Sequence, residues 1–391
     1  MSSPARIYLD NAATSWPKPE PVYRAVDHYQ RQLGAPAGRS GYAEAVQVSQ
    51  TVETARHDLA RLLGVRDASH LLFTAGGTDS LNLALHGLLR PRDHVVTTVI
   101  EHNSVLRPLA YLQQARDVSM SYVGCGAEGI IDPDDVKRAI TPRTRLVALS
   151  HASNVTGAIQ PLNEIIDVAH RLGALVVVDA AQTVGHLPIS VADLEVDLLA
   201  ASGHKGLLGA LGTGLLYVRP GVESQLESLR QGGTGTQSNI DRQPDDLPGK
   251  YESGSLNVPG LFGLGAAAEY LRERGIDNIR RHDRTLAERL LAGLAGVRGV
   301  RLYGPRDAER RLGVVSISVT GYDPQEVAAN LDYAYRIQVR AGLHCAPLMH
   351  RALNTEAAGG TVRLSLGAFN TAAEVDAAVT AVAEIASACP A

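Results

Sequence analysis

From about residue 70 the chain alternates between two periodicities. Short β-rich runs, "HLLFTAG", "HVVTTVI", "SMSYVGC", "RLVALS", "ALVVVDA", "VDLLAAS" and "GTGLLYV", are strands by their length and their β-branched and apolar content. Between most of them lie segments of helical period such as "DSLNLALHGLL", "SVLRPLAYLQQ" and "LNEIIDVAHRLG". This alternation predicts an α/β domain with a mostly parallel central sheet and helices on both faces. The last two runs have no helical segment between them, so at least one strand is predicted antiparallel.

The pattern lapses over "RQGGTGTQSNIDRQPDDLPGKYESGSLNVPG", Arg230 to Gly260, which is rich in Gly, Pro and polar residues. An aperiodic stretch of that length is usually functional or disordered. Beyond it come the long helical patterns "GLGAAAEYLRERG" and "NIRRHDRTLAERLLAGLAG". The strands "GVVSISV", "QVRAGL" and "TVRLSLG" follow, and then a last helix, "TAAEVDAAVTAVAEIA". The reading is a large α/β domain over 18–260 and a smaller α+β domain over 261–391, which the N-terminal segment 1–17 joins.

Composition narrows the function. With 391 residues, 45% hydrophobic and 20% charged, the chain has the makings of substantial cores. A net charge of -4 offers no broad positive field, and the arginines of "RRHDRTLAER" are interleaved with acids as on a solvated helix face. Nucleic acid is therefore not an expected partner. No stretch approaches the roughly 18 apolar residues of a membrane span, and the start has no apolar signal region. Cys125, Cys345 and Cys389 are too scattered for a disulfide framework, and no C-x-x-C pair suggests a metal. A reducing cytoplasm, with no membrane and no metal, is the expectation.

The chemistry-bearing residues gather where the strands end. "VVVDAAQ" puts Asp179 at the end of a strand apolar enough to be central, and ligands of open α/β sheets bind beyond such ends. Alone, Asp179 is as well read as a helix cap. The next run ends in "ASGHK", which brings Lys205 to the same edge. A lysine among small apolar groups favours its neutral amine and serves as a Schiff-base nucleophile, although a lysine packing its stem under a solvated head is the plainer alternative. A carboxylate and a lysine so placed are the two anchors of pyridoxal 5'-phosphate: one joins the aldehyde carbon, the other keeps the pyridine nitrogen protonated. "TAGGTDSLN" offers the phosphate the amides of Gly77 and Thr78 at a helix start, with Ser202 and His204 as further donors. A nucleotide-binding module is the rival from another class, but neither dinucleotide nor P-loop glycine motifs occur.

Taken together, "YLDNAAT", "GRSGY", "GGTDSLN", "EHNS", "HASNVTG", "VDAAQTVGH", "SGHKGLLGALGTGLLYV", "ESGSLNVPG", "RAGLHCAP" and "VRLSLGAFNT" span nearly the whole length. In them the chain resembles the class V aminotransferase-like enzymes that use pyridoxal phosphate (fold type I), and among these the cysteine desulfurases of the Suf and Nif type. The resemblance implies Lys205 as the Schiff-base lysine, Asp179 as the pyridinium partner, Gln182 as a donor to the ring phenolate, and His102 stacked on the ring. Asn154 is implied near the substrate carboxylate and phenolate, and Arg363, on an alternating strand, as the α-carboxylate clamp. His102 and Asn154 read alone are ordinary strand ends or helix caps, and Arg363 an ordinary strand arginine.

Cys345 decides the reaction. A free cysteine is more often a small core hydrophobe than a nucleophile. Here His344 adjoins it, a proline follows two residues on, and the resemblance turns it toward the cofactor as the acceptor of sulfur from L-cysteine. His102 is then a candidate proton relay. The resemblance also implies a homodimer with a shared site, in which positions like Gly233 and Ser255 reach the neighbouring subunit's cofactor phosphate, and a sulfur-acceptor protein, as in iron-sulfur cluster assembly. Ser255 stands where the family usually has threonine, and Met349 where smaller residues are common; both leave substrate preference and acceptor docking open. Selenocysteine lyase, with L-selenocysteine as substrate, cysteine β-lyase and aminotransferase remain alternatives on the same fold, as does a scaffold that has lost its chemistry.

Overall fold

The computed structural model describes residues 6–38, 40–235 and 239–388. Cys389, Arg39 of "GRSGY" and residues 236–238 of the aperiodic segment lie outside them. In chain order the strands are β1 (Ile7–Tyr8), β2 (Leu71–Thr74), β3 (His94–Thr98), β4 (Ser119–Val123), β5 (Thr144–Ser150), β6 (Leu175–Asp179), β7 (Leu198–Ser202), β8 (Gly214–Val218), β9 (Val300–Tyr303), β10 (Val314–Val319), β11 (Ile337–Gln338), β12 (Arg340–Gly342) and β13 (Thr361–Ser365). The seven apolar runs of the first half are β2 to β8.

These seven make one sheet in the order β2-β8-β7-β6-β5-β3-β4. β8 is antiparallel to both its neighbours and every other pairing is parallel, so the strand reached without an intervening helix is the reversed one, as the pattern implied. All strands but β8 therefore end at one edge. Side chains alternate between two apolar clusters: Leu146, Ala148, Val177, Leu198 and Ala200 point to one, and Val147, Leu149, Val176, Val178, Leu199 and Ala201 to the other. Burial on both faces explains why these strands read as continuous apolar runs.

A second, antiparallel sheet runs β12-β13-β10-β9. Helices Ile276–Ala295, Pro324–Tyr335 and Ala372–Ser387 contribute Leu286, Leu290, Val327, Leu331, Val375 and Val382 to its core. The N-terminal β1 pairs in parallel with β11, and Asp10 bridges to Ser365. The chain's start is thus stitched to its last strand. Helix Val258–Arg274 packs instead on the first sheet's side, with Leu261, Leu264 and Leu271 in the cluster that holds Val48, Val52 and Ala55 of helix Ala43–Leu62.

That last helix is hard to see in the sequence because its inward stripe is alanine and valine with an arginine in it. Arg56 is 2% exposed. It donates to the Leu71 carbonyl at 2.7 Å and to Glu252 at 2.6 and 2.9 Å, and its guanidinium lies 4.3 Å from the Phe73 ring centroid. Glu252 also accepts from the Phe73 amide at 2.6 Å. This pair fastens the aperiodic segment to β2. Removing one partner of a buried pair strands the other charge, so Glu252→Ala is expected to lower unfolding free energy by about 3–5 kcal/mol in urea titration, and Glu252→Gln by less.

A second buried carboxyl ties strand ends together. Glu101, fully buried, accepts from Thr98 Oγ1 at 2.5 Å, from the Ser150 amide at 3.2 Å and from Ser150 Oγ at 2.8 Å, joining β3 to β5. Burial pushes its pKa up to about 7, three hydrogen bonds oppose that rise, and the nearby Asp179 carboxylate adds to it. The folded chain therefore holds a proton that the unfolded chain releases near the ordinary carboxyl pKa. The stability so gained is complete in acid and is lost as pH rises toward and through 7. Glu101→Gln is expected to gain on the wild type by on the order of 2–3 kcal/mol between pH 4.5 and 8, read from urea midpoints at the two pH values.

Candidate active site

Where the co-directed strands end, the chain encloses a cavity of about 680 Å³. Each strand end supplies part of the wall. The turn after β2 brings Gly77 and Thr78, the turn after β3 brings His102, and the loop after β5 brings Asn154. β6 brings Asp179 and Gln182, and β7 brings Ser202, His204 and Lys205. Arg363 reaches in from β13 of the second sheet. Residues scattered over nearly 290 positions are thereby assembled at one place, because parallel strands deliver their ends to one edge.

One end of the cavity is built for an anion. Helix Gly77–Leu88 begins there without a side-chain cap, leaving its first amides free. A Cβ on Gly77 would lie 2.6 Å from Ser202 Oγ, so only glycine lets that hydroxyl stand against the helix start. Thr78 Oγ1 and Ser104 Oγ are 2.8 Å apart. His204 lines the same wall, and its Nδ1 is buried without a partner. Free amides, hydroxyls and an orphaned ring nitrogen are what a phosphate group satisfies.

The other groups are a lysine, a carboxylate and two guanidiniums. Burial draws Lys205 down to about 8; Asp179 resists this, while Arg363 and Arg340 reinforce it. Asp179 is raised above the usual carboxylate range by burial, with the Ala181 amide, 3.0 Å from Oδ1, and Lys205 pulling it back. Lys205 nonetheless keeps part of its surface open to the cavity. A carboxylate and a depressed amine facing one void suit a cationic ring nitrogen and an aldehyde, so the residues fit pyridoxal phosphate.

His102 both lines the cavity and caps helix Asn103–Arg116. Its Nδ1 accepts from the Ser104 amide at 3.0 Å, which puts the proton of the neutral ring on Nε2. Burial, then Lys205 and Arg340, hold its pKa at about 4, so the ring is neutral near pH 7. The helix-cap reading of His102 therefore holds, and the same ring also lines the cavity. Asn154 donates to the His344 carbonyl at 2.6 Å, and Gln182 to the Ala12 carbonyl at 3.1 Å.

Cys345 does not line this cavity but a neighbouring one of about 600 Å³. Thr78, Asn82, His102 and Ser104 line both, so the thiol stands on the outer side of the same opening. His344 faces away from it: the ring is buried, lies 3.1 Å from Thr361 Oγ1 through Nε2 and packs against His350. The group on the sulfur is Arg340, whose Nη2 is 3.1 Å from Sγ. Gly233 and Ser255 lie outside the cavity on the exposed face of the aperiodic segment. Met349 is fully buried in helix Pro347–Ala352, where its methyl group crowds Gly129, and Cys125 packs beside the same core.

Sequence reasoning passed over three participants. Arg340 sits in the "QVRAGL" strand that was read only for its apolar pattern. Asp10 and Lys18 flank "NAATSW", where only the motif was noted; Asp10 pairs with Arg363 at 2.7 Å and Lys18 donates to the His204 carbonyl at 2.8 Å. Their signal was the isolated charge in a short, otherwise small and polar stretch.

The described residues contain no group of three or more His, Cys, Asp or Glu side chains fit to hold a metal, and no helix long and apolar enough to cross a membrane. Comparison with known proteins places this geometry. A curated relative described as a probable cysteine desulfurase, from Methanothermobacter thermautotrophicus, is 36% identical over 373 residues, 94% of this chain and 92% of the relative. A cysteine desulfurase of Escherichia coli is 33% identical over 385 residues, 97% and 93% of the two chains. The apo structure of a cysteine desulfurase from Thermococcus onnurineus NA1 superposes with a TM-score of 0.91 at 34% identity, covering 98% of this chain and 95% of that one. With its residues 7–378 matching the aminotransferase class-V family, the chain belongs to that family.

Proposed function

We propose that the protein is a cysteine desulfurase that uses pyridoxal phosphate to convert L-cysteine to L-alanine and collects the sulfur as a persulfide on Cys345. One observation carries this reading. Beside the mouth of a cavity that pairs Lys205 with Asp179 stands a thiol whose nearest cation is a guanidinium.

When bound, the cofactor supplies an aldehyde and an electron-accepting ring. Gly77, Thr78, Ser202 and His204 hold its phosphate, Asp179 keeps the proton on its ring nitrogen, and Gln182 and Asn154 donate to its phenolate. His102 covers the ring face. Lys205 would hold the cofactor's aldehyde carbon in the resting enzyme, and its amine, already drawn toward neutrality, would take the proton from the substrate Cα. Arg363 holds the α-carboxylate.

Cys345 Sγ, as thiolate, forms the S–S bond with the substrate sulfur while the Cβ–S bond breaks and its electron pair stays with the carbon. Protonation of that carbon, together with return of a proton from Lys205 to Cα, completes L-alanine. Neutral His102, with its proton on Nε2, is placed to pass protons at the substrate thiol. Arg340 donates to Sγ, and a charge-assisted donor suits an anionic sulfur.

The working unit is a homodimer. Gly233 and Ser255, exposed and away from their own cavity, then complete the phosphate site of the neighbouring subunit, Ser255 keeping the hydroxyl that threonine usually supplies. The persulfide is handed to an acceptor protein at the opening beside Cys345, in the cytoplasm.

Lys205→Ala is expected to be purified without the yellow Schiff-base absorption, and borohydride should fix no cofactor on it. Cys345→Ala is expected to bind the cofactor and cysteine normally but to lose alanine formation by at least about 10²-fold, with no persulfide trapped by alkylation. Sulfide release at the wild-type rate from Cys345→Ala would instead assign simple β-elimination.

A further inference from the structure

Arg363 is 1% exposed, yet its bonds are uneven. Nη1 donates to the Asn154 carbonyl at 3.1 Å, Nη2 donates to Asp10 Oδ1 at 2.7 Å, and Nε has no partner. A buried guanidinium that lines a cavity with one nitrogen unpartnered and one hydrogen bond on each of the others has donor capacity left for a ligand. Its orientation depends on Asp10, the one carboxylate bonded to it. Across the sheet, Arg340 is in register with Arg363 on the adjacent strand, so two like charges face the cavity with Asp10 the carboxylate between the clamp and an unrelieved pair.

Asp10 is itself held firmly. It bridges to Ser365, the Ser365 amide donates to Leu9 at 2.7 Å, and the Ala12 amide donates to Ser365 Oγ at 3.0 Å. Beyond it, the segment 10–18 crosses to the lysine loop. There Thr14 Oγ1, the Ser15 amide and Lys18 Nζ donate to the His204 carbonyl at 3.1, 3.0 and 2.8 Å, and Ser15 Oγ donates to the Lys205 carbonyl at 2.9 Å. One short stretch of chain is thus bonded to the guanidinium at its beginning and to the lysine loop at its end.

We propose that Asp10 is a positioning residue for carboxylate recognition: it occupies one side of Arg363, turns the remaining N–H groups toward the α-carboxylate, and through the segment 10–18 fixes that clamp relative to Lys205. This rests on the reading of the cavity as an amino-acid site with Arg363 as its clamp. Substrate amine and substrate carboxylate are then gripped by two groups whose spacing is set by one strap rather than by the packing of two sheets.

The test separates carboxylate recognition from general damage. Cofactor-loaded wild type, Asp10→Ala, Asp10→Asn and Arg363→Ala are titrated with L-alanine and with cysteamine, an amine that lacks the carboxylate, following the cofactor's absorption and heat of binding. Asp10→Ala is expected to weaken L-alanine by ~10-fold and cysteamine by less than about 2-fold, while Asp10→Asn, which keeps the acceptor in place, recovers most of the loss. In cysteine turnover the Asp10→Ala defect should appear chiefly in KM. Equal weakening of both ligands by Asp10→Ala, or unchanged L-alanine binding, overturns the proposal while a carboxylate-specific loss in Arg363→Ala leaves the site reading intact. No carboxylate-specific loss in Arg363→Ala removes the clamp itself and the proposal with it.

Discussion

The structure turns on a lysine ammonium taken out of water into a cavity that already holds two guanidiniums. Burial and the repulsion of Arg363 and Arg340 both depress Lys205, to about 8, and Asp179, with a smaller contribution from Cys345, works against them. Asp179 and Asp79 line the same cavity and Asp10 pairs with Arg363, so the carboxylates balance the cations but leave other donors without an acceptor. Free helix amides at Gly77 and a buried, unpartnered Nε on Arg363 are such donors, in two separate places. A molecule with an anionic phosphate and a carbonyl, joined by an amino acid with its carboxylate, would satisfy those donors.

The fold makes that concentration of charge tolerable. Six co-directed strands bring their ends together, so the polar groups crowd one edge while both faces of the sheet remain apolar. β8 is the reversed strand. It turns the chain back after Lys205, closes the sheet against β2, and places the glycines of the lysine loop where backbones touch: a Cβ on Gly203 would meet Thr213, and one on Gly214 would meet Gly76. Small residues around Lys205 are therefore required by packing, and they also surround its amine with little polarity.

Much of this was legible in the sequence, for reasons that differ by region. Strands buried on both faces are continuous apolar runs, so β2 to β8 stood out with their order of alternation. The ends of β6 and β7 announced Asp179 and Lys205 because a charge at the close of an apolar run has few structural uses. Helix Ala43–Leu62 did not stand out, since its buried stripe contains Arg56, whose partner Glu252 lies 196 residues away. β9 is four residues long and carries an exposed arginine, and β1 and β11 have two residues each, too short to show a period. Arg340 and Asp10 escaped because their significance lies in side-chain contacts that no apolar periodicity encodes: Arg340 with Cys345 around the turn that follows its strand, and Asp10 with Arg363 far along the chain. His344 misled in the opposite way: adjacency in sequence put it next to the thiol, but the turn of the backbone sends its ring into the core.

That turn also sets how Cys345 can act. His344 and Cys345 both have left-handed backbones, at φ 48° and 59°, a conformation costing non-glycine residues about 1–3 kcal/mol each. The surrounding structure holds it: Asn154 Nδ2 donates to the His344 carbonyl at 2.6 Å, and the Asn103 amide to the Cys345 carbonyl at 2.7 Å. Both donors belong to the walls of the two adjoining cavities. The backbone that carries the thiol is therefore pinned by residues that line the cavities, and a helix beginning at Pro347 follows it. Reach comes from the side chain alone, which confines the sulfur to the opening between the two cavities. In the proposed reaction, sulfur would pass to Cys345 only from a substrate held at that opening, and only a group that comes to the opening would take it away.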